Sequence, residues 1–238
     1  MGKWIELKPD RAGSIAAWRA DPDSRPRAGM VVVQEIFGVN SHIRATADRF
    51  ASVGYLAIAP AVFDRIEKGF DVGYDADSRT RGMAIVGKLD FEQTLRDVAA
   101  AIEVASEAFK VGIVGYCFGG SVVWAAAARL SGLSAAVGYY GGRILAMKDL
   151  TPQVPTELHF GRKGSEHPDQ GGARVRRRAS GGRRLHLSGG ARFQLRPARI
   201  LRSWQRGARL VAHPRIFPAA SRVGRGEAFA RRARSPTS

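Results

Sequence analysis

The segment from Val111 to Leu130 constrains the fold of this chain more than any other. An apolar run, Val111 to Val114, leads into Gly115-Tyr116-Cys117-Phe118-Gly119-Gly120, and a helix-forming run, Ser121 to Leu130, follows. When a strand turns directly into a helix, the corner residue takes a strained backbone conformation, and the glycines around it avoid clashes between strand and helix. The corner side chain then stands at the end of a strand beside a free backbone N–H. That is the arrangement of a G-x-nucleophile-x-G elbow, whose N–H can stabilise an oxyanion. Cys117, the single cysteine of the chain, occupies the corner. A lone cysteine is otherwise more often a small buried hydrophobe; the three glycines favour the nucleophile.

The first two thirds of the sequence punctuate a fold clearly. Met30 to Gln34 is a continuous apolar run, as a strand covered on both faces should be. His42 to Val53 has helical spacing through Ile43, Ala47 and Phe50. Tyr55 to Ala59, Ala135 to Tyr140 and Thr156 to Phe160 read as further strands, and Phe91 to Ala108 as a long helix. Ile5 to Trp18 is weaker and is expected to pair at an antiparallel edge. Strands alternating with helices predict an α/β fold, a mostly parallel sheet with helices on both faces. At 238 residues the chain can bury a sizeable core. One cysteine excludes an internal disulfide, and the N-terminus carries no apolar signal core, so a reducing cytoplasm is expected. No apolar run approaches the roughly 18 residues that cross a bilayer, so no membrane partner is expected.

Charge divides the chain in two. Residues 1–160 hold 18 Lys+Arg and 18 Asp+Glu, whereas 161–238 hold 20 basic and 3 acidic residues and so the whole net charge of +17. Of those 20, only Lys163 is lysine. The expected division is a catalytic-type domain, 1–160, and an Arg-rich tail, 161–238. Apolar residues in the tail are scattered among arginines, too few to offset chain entropy, which predicts disorder.

Four separated motifs, in consistent order over roughly residues 28–161, resemble the dienelactone hydrolase family of the α/β-hydrolase superfamily. They are Gln34-Glu35-Ile36-Phe37-Gly38-Val39-Asn40, Gly115 to Gly120, Val137-Gly138-Tyr139-Tyr140-Gly141, and Pro155 to Gly161. The resemblance implies a carboxymethylenebutenolidase-like hydrolase of lactones or small carboxylic esters. No GxGxxG follows a strand, no Walker lysine is present and no His/Cys/Asp cluster has metal spacing, so no metal or organic cofactor is expected, and the chain, if folded, is expected to be a monomer. The resemblance also implies that the Cys117 thiolate attacks the carbonyl and that the backbone N–H groups of Ile36 and Phe118 hold the oxyanion. Glu35 would hold the resting thiol and take part in forming the thiolate; its bland alternative is a solvated loop carboxylate. Arg79 aligns with an arginine that grips a substrate carboxylate, a task suited to bidentate guanidinium chemistry. Arg81 is its rival, and a plain surface arginine is the alternative for both. His42, at a helix start, reads as structural. The loop between Asp64 and Asp90 is the least family-like stretch.

The pattern fails beyond Phe160. Such a hydrolase needs a histidine to manage the thiolate's proton and a carboxylate to orient the imidazole. Gly164 stands where the family has its aspartate, and His167, His186 and His213 lack the expected Gly-His-Gly-Phe context. A shifted reading frame accounts for both gaps. Codons for Glu-Lys-Asp, GAA AAG GAC, displaced by one inserted base become CGA AAA GGA, which encodes Arg162-Lys163-Gly164. Codons for Gly-His-Gly-Phe-Asn-Cys-Asp in the same displaced frame yield Gly-Ala-Arg-Phe-Gln-Leu-Arg, the residues Gly190 to Arg196. On this reading the eighth strand and closing helix are lost and hydrolysis is impaired. The alternative is an evolved basic arm that makes the chain a nucleic-acid-binding protein; charge alone would give non-specific binding to RNA or DNA.

Overall fold

The computed structural model describes residues 2–10 and 13–160. An antiparallel pair opens it, β1 (Lys3–Asp10) and β2 (Gly13–Ala20). Then come β3 (Ala28–Val33), α1 (Ser41–Ser52), β4 (Tyr55–Pro60), α2 (Ala76–Lys88) and α3 (Phe91–Ala105). The elbow joins β5 (Val111–Tyr116) to α4 (Phe118–Arg129), and β6 (Leu133–Tyr139) and β7 (Thr156–His159) complete the described sheet. Its spatial order is β1-β2-β4-β3-β5-β6-β7, with the five strands from β4 to β7 parallel and β2 antiparallel to β4. This is the mostly parallel α/β sheet that the sequence predicts.

Alternation along the central strands builds two cores. Val31 and Val33 of β3 and Ile113 of β5 face α3 and α4, packing with Val98, Ile102, Val122 and Val123. Met30, Val32, Val114 and Tyr116 point to the other face and meet Ile43, Ala47 and Phe50 of α1. With both faces covered, every residue of β3, β4 and β5 is buried, hence their unbroken apolar sequences. A smaller cluster joins Trp124 of α4 to Ile144 and Leu158, and the Trp124 indole donates to the Met147 carbonyl at 2.9 Å.

The stretch Ile5 to Trp18 lies at the antiparallel edge of the sheet, as expected, as the pair β1 and β2, with Leu7 and Ile15 paired and buried. Two elements depart from the sequence expectation. α4 begins at Phe118, three residues early: Gly119 and Gly120, turn formers by propensity, are helical here because close packing demands them. α2 lies within the loop from Asp64 to Asp90, where no helix was expected. Its buried stripe is only Ser78, Gly82 and Ile85, two of them not apolar, so little periodicity marks it. Its start is nevertheless encoded: the Asp75 carboxylate accepts from Ser78 N–H at 2.8 Å and from the Ser78 hydroxyl at 2.7 Å.

Residues 161–238 lie outside the described residues. The expectations of tail disorder, of a lost eighth strand and closing helix, and of a boundary at 160 fall there.

Candidate active site

The elbow has the backbone its sequence anticipates. Cys117 sits at φ 53°, ψ −116°, between the end of β5 and the first residue of α4. This is costly for a residue with a side chain and persists where surrounding structure enforces it. The Cys117 N–H donates to the Tyr139 carbonyl at 3.0 Å, and the Cys117 carbonyl accepts from Gly120 N–H at 3.0 Å. A Cβ at Gly119 would lie 2.5 Å from the Val33 carbonyl oxygen and 2.6 Å from that of Gln34. One at Gly115 would strike the Gly119 carbonyl oxygen, and one at Gly120 the Tyr139 carbonyl oxygen. The glycines therefore serve close approach of α4 to β3, β5 and β6.

The loop after β3 supplies the facing wall. Gly38, at φ 82°, makes bridge contacts with both Glu35 and Asp71, and Val72 N–H donates to the Phe37 carbonyl at 3.2 Å. Asn40 caps α1 by accepting from Ile43 N–H at 3.2 Å and donates to the Val72 carbonyl at 3.3 Å. Held from both sides, this loop presents Ile36 N–H to the Cys117 sulphur, as the start of α4 presents Phe118 N–H. Burial and then the negative charge of Glu35 push the Cys117 thiol above its ordinary range; these two N–H groups and the Arg79 charge pull it partly back. The structure thus gathers Cys117, Glu35, Ile36, Phe118 and the field of Arg79 at one point.

Glu35 is 8% exposed, so it is not a solvated loop carboxylate. Tyr74 Oη donates to its Oε2 at 2.9 Å, and Tyr140 Oη to its Oε1 at 3.0 Å. Burial first, and Glu35's charge as a further cause, push the Tyr74 phenol up to about 12 and raise the Tyr140 phenol strongly. Tyr140 itself has φ 41°. Neither tyrosine stood out as a site residue in the sequence. Tyr140 was visible inside the motif Val137 to Gly141, but Tyr74 lies in the stretch with the weakest signal.

The two candidate arginines separate. Arg81 donates to Glu67 at 2.9 Å, and its guanidinium lies 5.3 Å from the Phe70 ring centroid. Arg79 is exposed on α2 and is the one whose charge reaches the thiol. His42 is partly buried with its ring edge-on to Tyr74 at 6.3 Å, and its Nε2 has no hydrogen-bond partner. Among the described residues, no three His, Cys, Asp or Glu side chains gather as a metal site. A cleft of about 610 Å³ lined by Trp4, Trp18, Arg44 and Asp71 opens on the β1 side and includes neither Cys117 nor Glu35.

The profile of the dienelactone hydrolase family matches residues 15–166, well over half the chain. The chain belongs to the dienelactone hydrolase family. It is 37% identical over 142 residues to a Synechocystis protein provisionally named carboxymethylenebutenolidase, covering 57% of each chain. Carboxymethylenebutenolidase 1 of Cupriavidus pinatubonensis is 28% identical over 166 residues, 67% of this chain and 70% of that protein. A crystal structure from Klebsiella pneumoniae, provisionally a dienelactone hydrolase, superposes with TM-score 0.59 at 29% identity, over 71% of this chain and 76% of that one. The chain spans little more than half the length of curated relatives such as the Synechocystis protein. The dienelactone hydrolase match contains every residue of the site above. The positions expected to hold the aspartate and histidine, including Gly164 and Gly190 to Arg196, lie outside the described residues.

Among those described residues, no helix is long and apolar enough to cross a membrane.

Proposed function

We infer that this chain derives from a cytoplasmic, monomeric hydrolase of lactones or small carboxylic esters in which Cys117 is the nucleophile. The observation that carries the reading is Cys117 at φ 53° with two converging backbone N–H groups and a buried carboxylate beside it. In the reaction, the sulphur attacks the carbonyl carbon, and the carbonyl oxygen gathers negative charge against the N–H groups of Ile36 and Phe118. The C–O bond to the leaving alkoxide breaks, a thioester forms, and water then cleaves it to release the acid and the thiol. Arg79 offers an anionic substrate its guanidinium.

The raised thiol means that little thiolate exists at neutral pH without a base to accept its proton. Family members use a histidine oriented by an aspartate, and the sequence after Phe160 supplies neither at the expected positions. We therefore expect slow turnover by the chain as written. The purified chain is to be assayed with dienelactone and p-nitrophenyl acetate beside the product of a gene with one base deleted near codon 161. Near-background rates for the first, and rates abolished by Cys117→Ala for the second, are expected. A restored chain that is inactive, or active without Cys117, would refute the assignment.

The excess of 20 basic over 3 acidic residues in 161–238 supports salt-sensitive, sequence-independent adhesion to nucleic acid. Truncation at residue 160 should remove it.

A further inference from the structure

We propose that Gly82 is a positioning residue for the oxyanion donor: by lacking a side chain it lets α2 lie directly on the Ile36 carbonyl and so fixes the aim of the Ile36 N–H at Cys117. The inference rests on the reading of Cys117 as the reactive group. A Cβ at position 82 would land on the Ile36 carbonyl oxygen, 3.0 Å from the carbonyl carbon and 3.2 Å from Ile36 Cβ. Two of those contacts are with backbone, which cannot rotate away as a side chain can. The helix cannot easily retreat either, because its Ile85 is buried in the core on the same face. The contact must therefore move Ile36, and with it the N–H that meets the sulphur.

A glycine costs an exposed helix interior stability relative to alanine, and α2 carries two. Gly87, the other one, has nothing within 4 Å of its would-be Cβ, so it supplies an internal control. The same helix carries Arg79, three residues before Gly82. α2 thereby ties the cation and the oxyanion donor to one rigid element.

The test follows the pH dependence of Cys117 alkylation by iodoacetamide in the full 238-residue chain, so it needs no turnover. If the frame-restored chain hydrolyses nothing, the proposed function fails but this measurement stands. Gly82→Ala is expected to move the alkylation midpoint to higher pH by up to about one unit, a tenfold loss of thiolate below it. Gly87→Ala should leave the midpoint in place. In an Arg79→Ala background the Gly82→Ala shift should persist, because it travels through Ile36. Ile85→Ala loosens the same face without placing an atom near Ile36, so it tests the idea should Gly82→Ala not fold. It should give a smaller shift in the same direction. An unmoved midpoint in folded Gly82→Ala, a shift that vanishes without Arg79, or, where Gly82→Ala does not fold, an unmoved midpoint in Ile85→Ala would each overturn the assignment.

Discussion

Replacing Tyr140 by Phe removes one of the two hydroxyls that hold the Glu35 carboxylate, and its cost can be worked out from the site. The acceptor is charged and 8% exposed, and the bond is 3.0 Å long. A hydrogen bond to a charged group contributes about 1.5–3 kcal/mol, and Tyr140 is only partly exposed, so water does not easily replace its hydroxyl. A loss of about 2 kcal/mol is expected for Tyr140→Phe. Tyr74, at 56% exposure, makes a bond of similar length, but its open position lets water take over, so Tyr74→Phe should cost below about 1 kcal/mol. In a Glu35→Gln background the charge is gone and Tyr140→Phe should cost only the neutral-bond figure of about 1 kcal/mol. The double-mutant cycle should thus return about 1 kcal/mol of coupling. Urea denaturation measures each corner, with an unchanged slope guarding against altered denatured states. Equal costs of Tyr140→Phe with and without the Glu35 charge would refute the reasoning. The hydroxyl would then matter for packing rather than for holding a carboxylate.

Alkylation of Cys117 should respond to charge with opposite signs at two residues. Glu35→Gln removes a negative neighbour that disfavours the thiolate and moves the profile to lower pH, whereas Arg79→Ala moves it to higher pH. Ultraviolet titration of Tyr74 should fall from about 12 in Glu35→Gln yet stay above the free phenol's value near 10, because burial is the larger cause. Away from the site, Arg65 clasps fully buried Asp97 through Nε at 3.1 Å and through Nη2 at 2.7 Å. Arg65→Met strands that carboxylate and should cost about 3–5 kcal/mol in urea denaturation, while Arg65→Met with Asp97→Leu should recover most of it.

What the sequence determined by itself is what short-range geometry encodes. The elbow was legible because a sharp strand-to-helix turn at Cys117 needs glycines within three residues on either side, and they stand next to it in the chain. The central strands were legible because burial on both faces leaves only apolar residues, and Glu35 because it stands two residues past the end of β3. The helix α2 was not legible, since its packing stripe is a serine, a glycine and one isoleucine. That stripe makes sense only when the Ile36 backbone lies against it. Tyr74 and Tyr140 were not legible as site residues either, standing 39 and 105 positions from the carboxylate they bind. Nor could the sequence separate Arg79 from Arg81, two residues apart on one helix, where a rotation of about 200° decides which charge faces the thiol. The upward push on the thiol was decided by tertiary structure. It reflects burial and the balance of Glu35 against Arg79 and two N–H groups, and electrostatic energy depends on distances that only the folded chain sets.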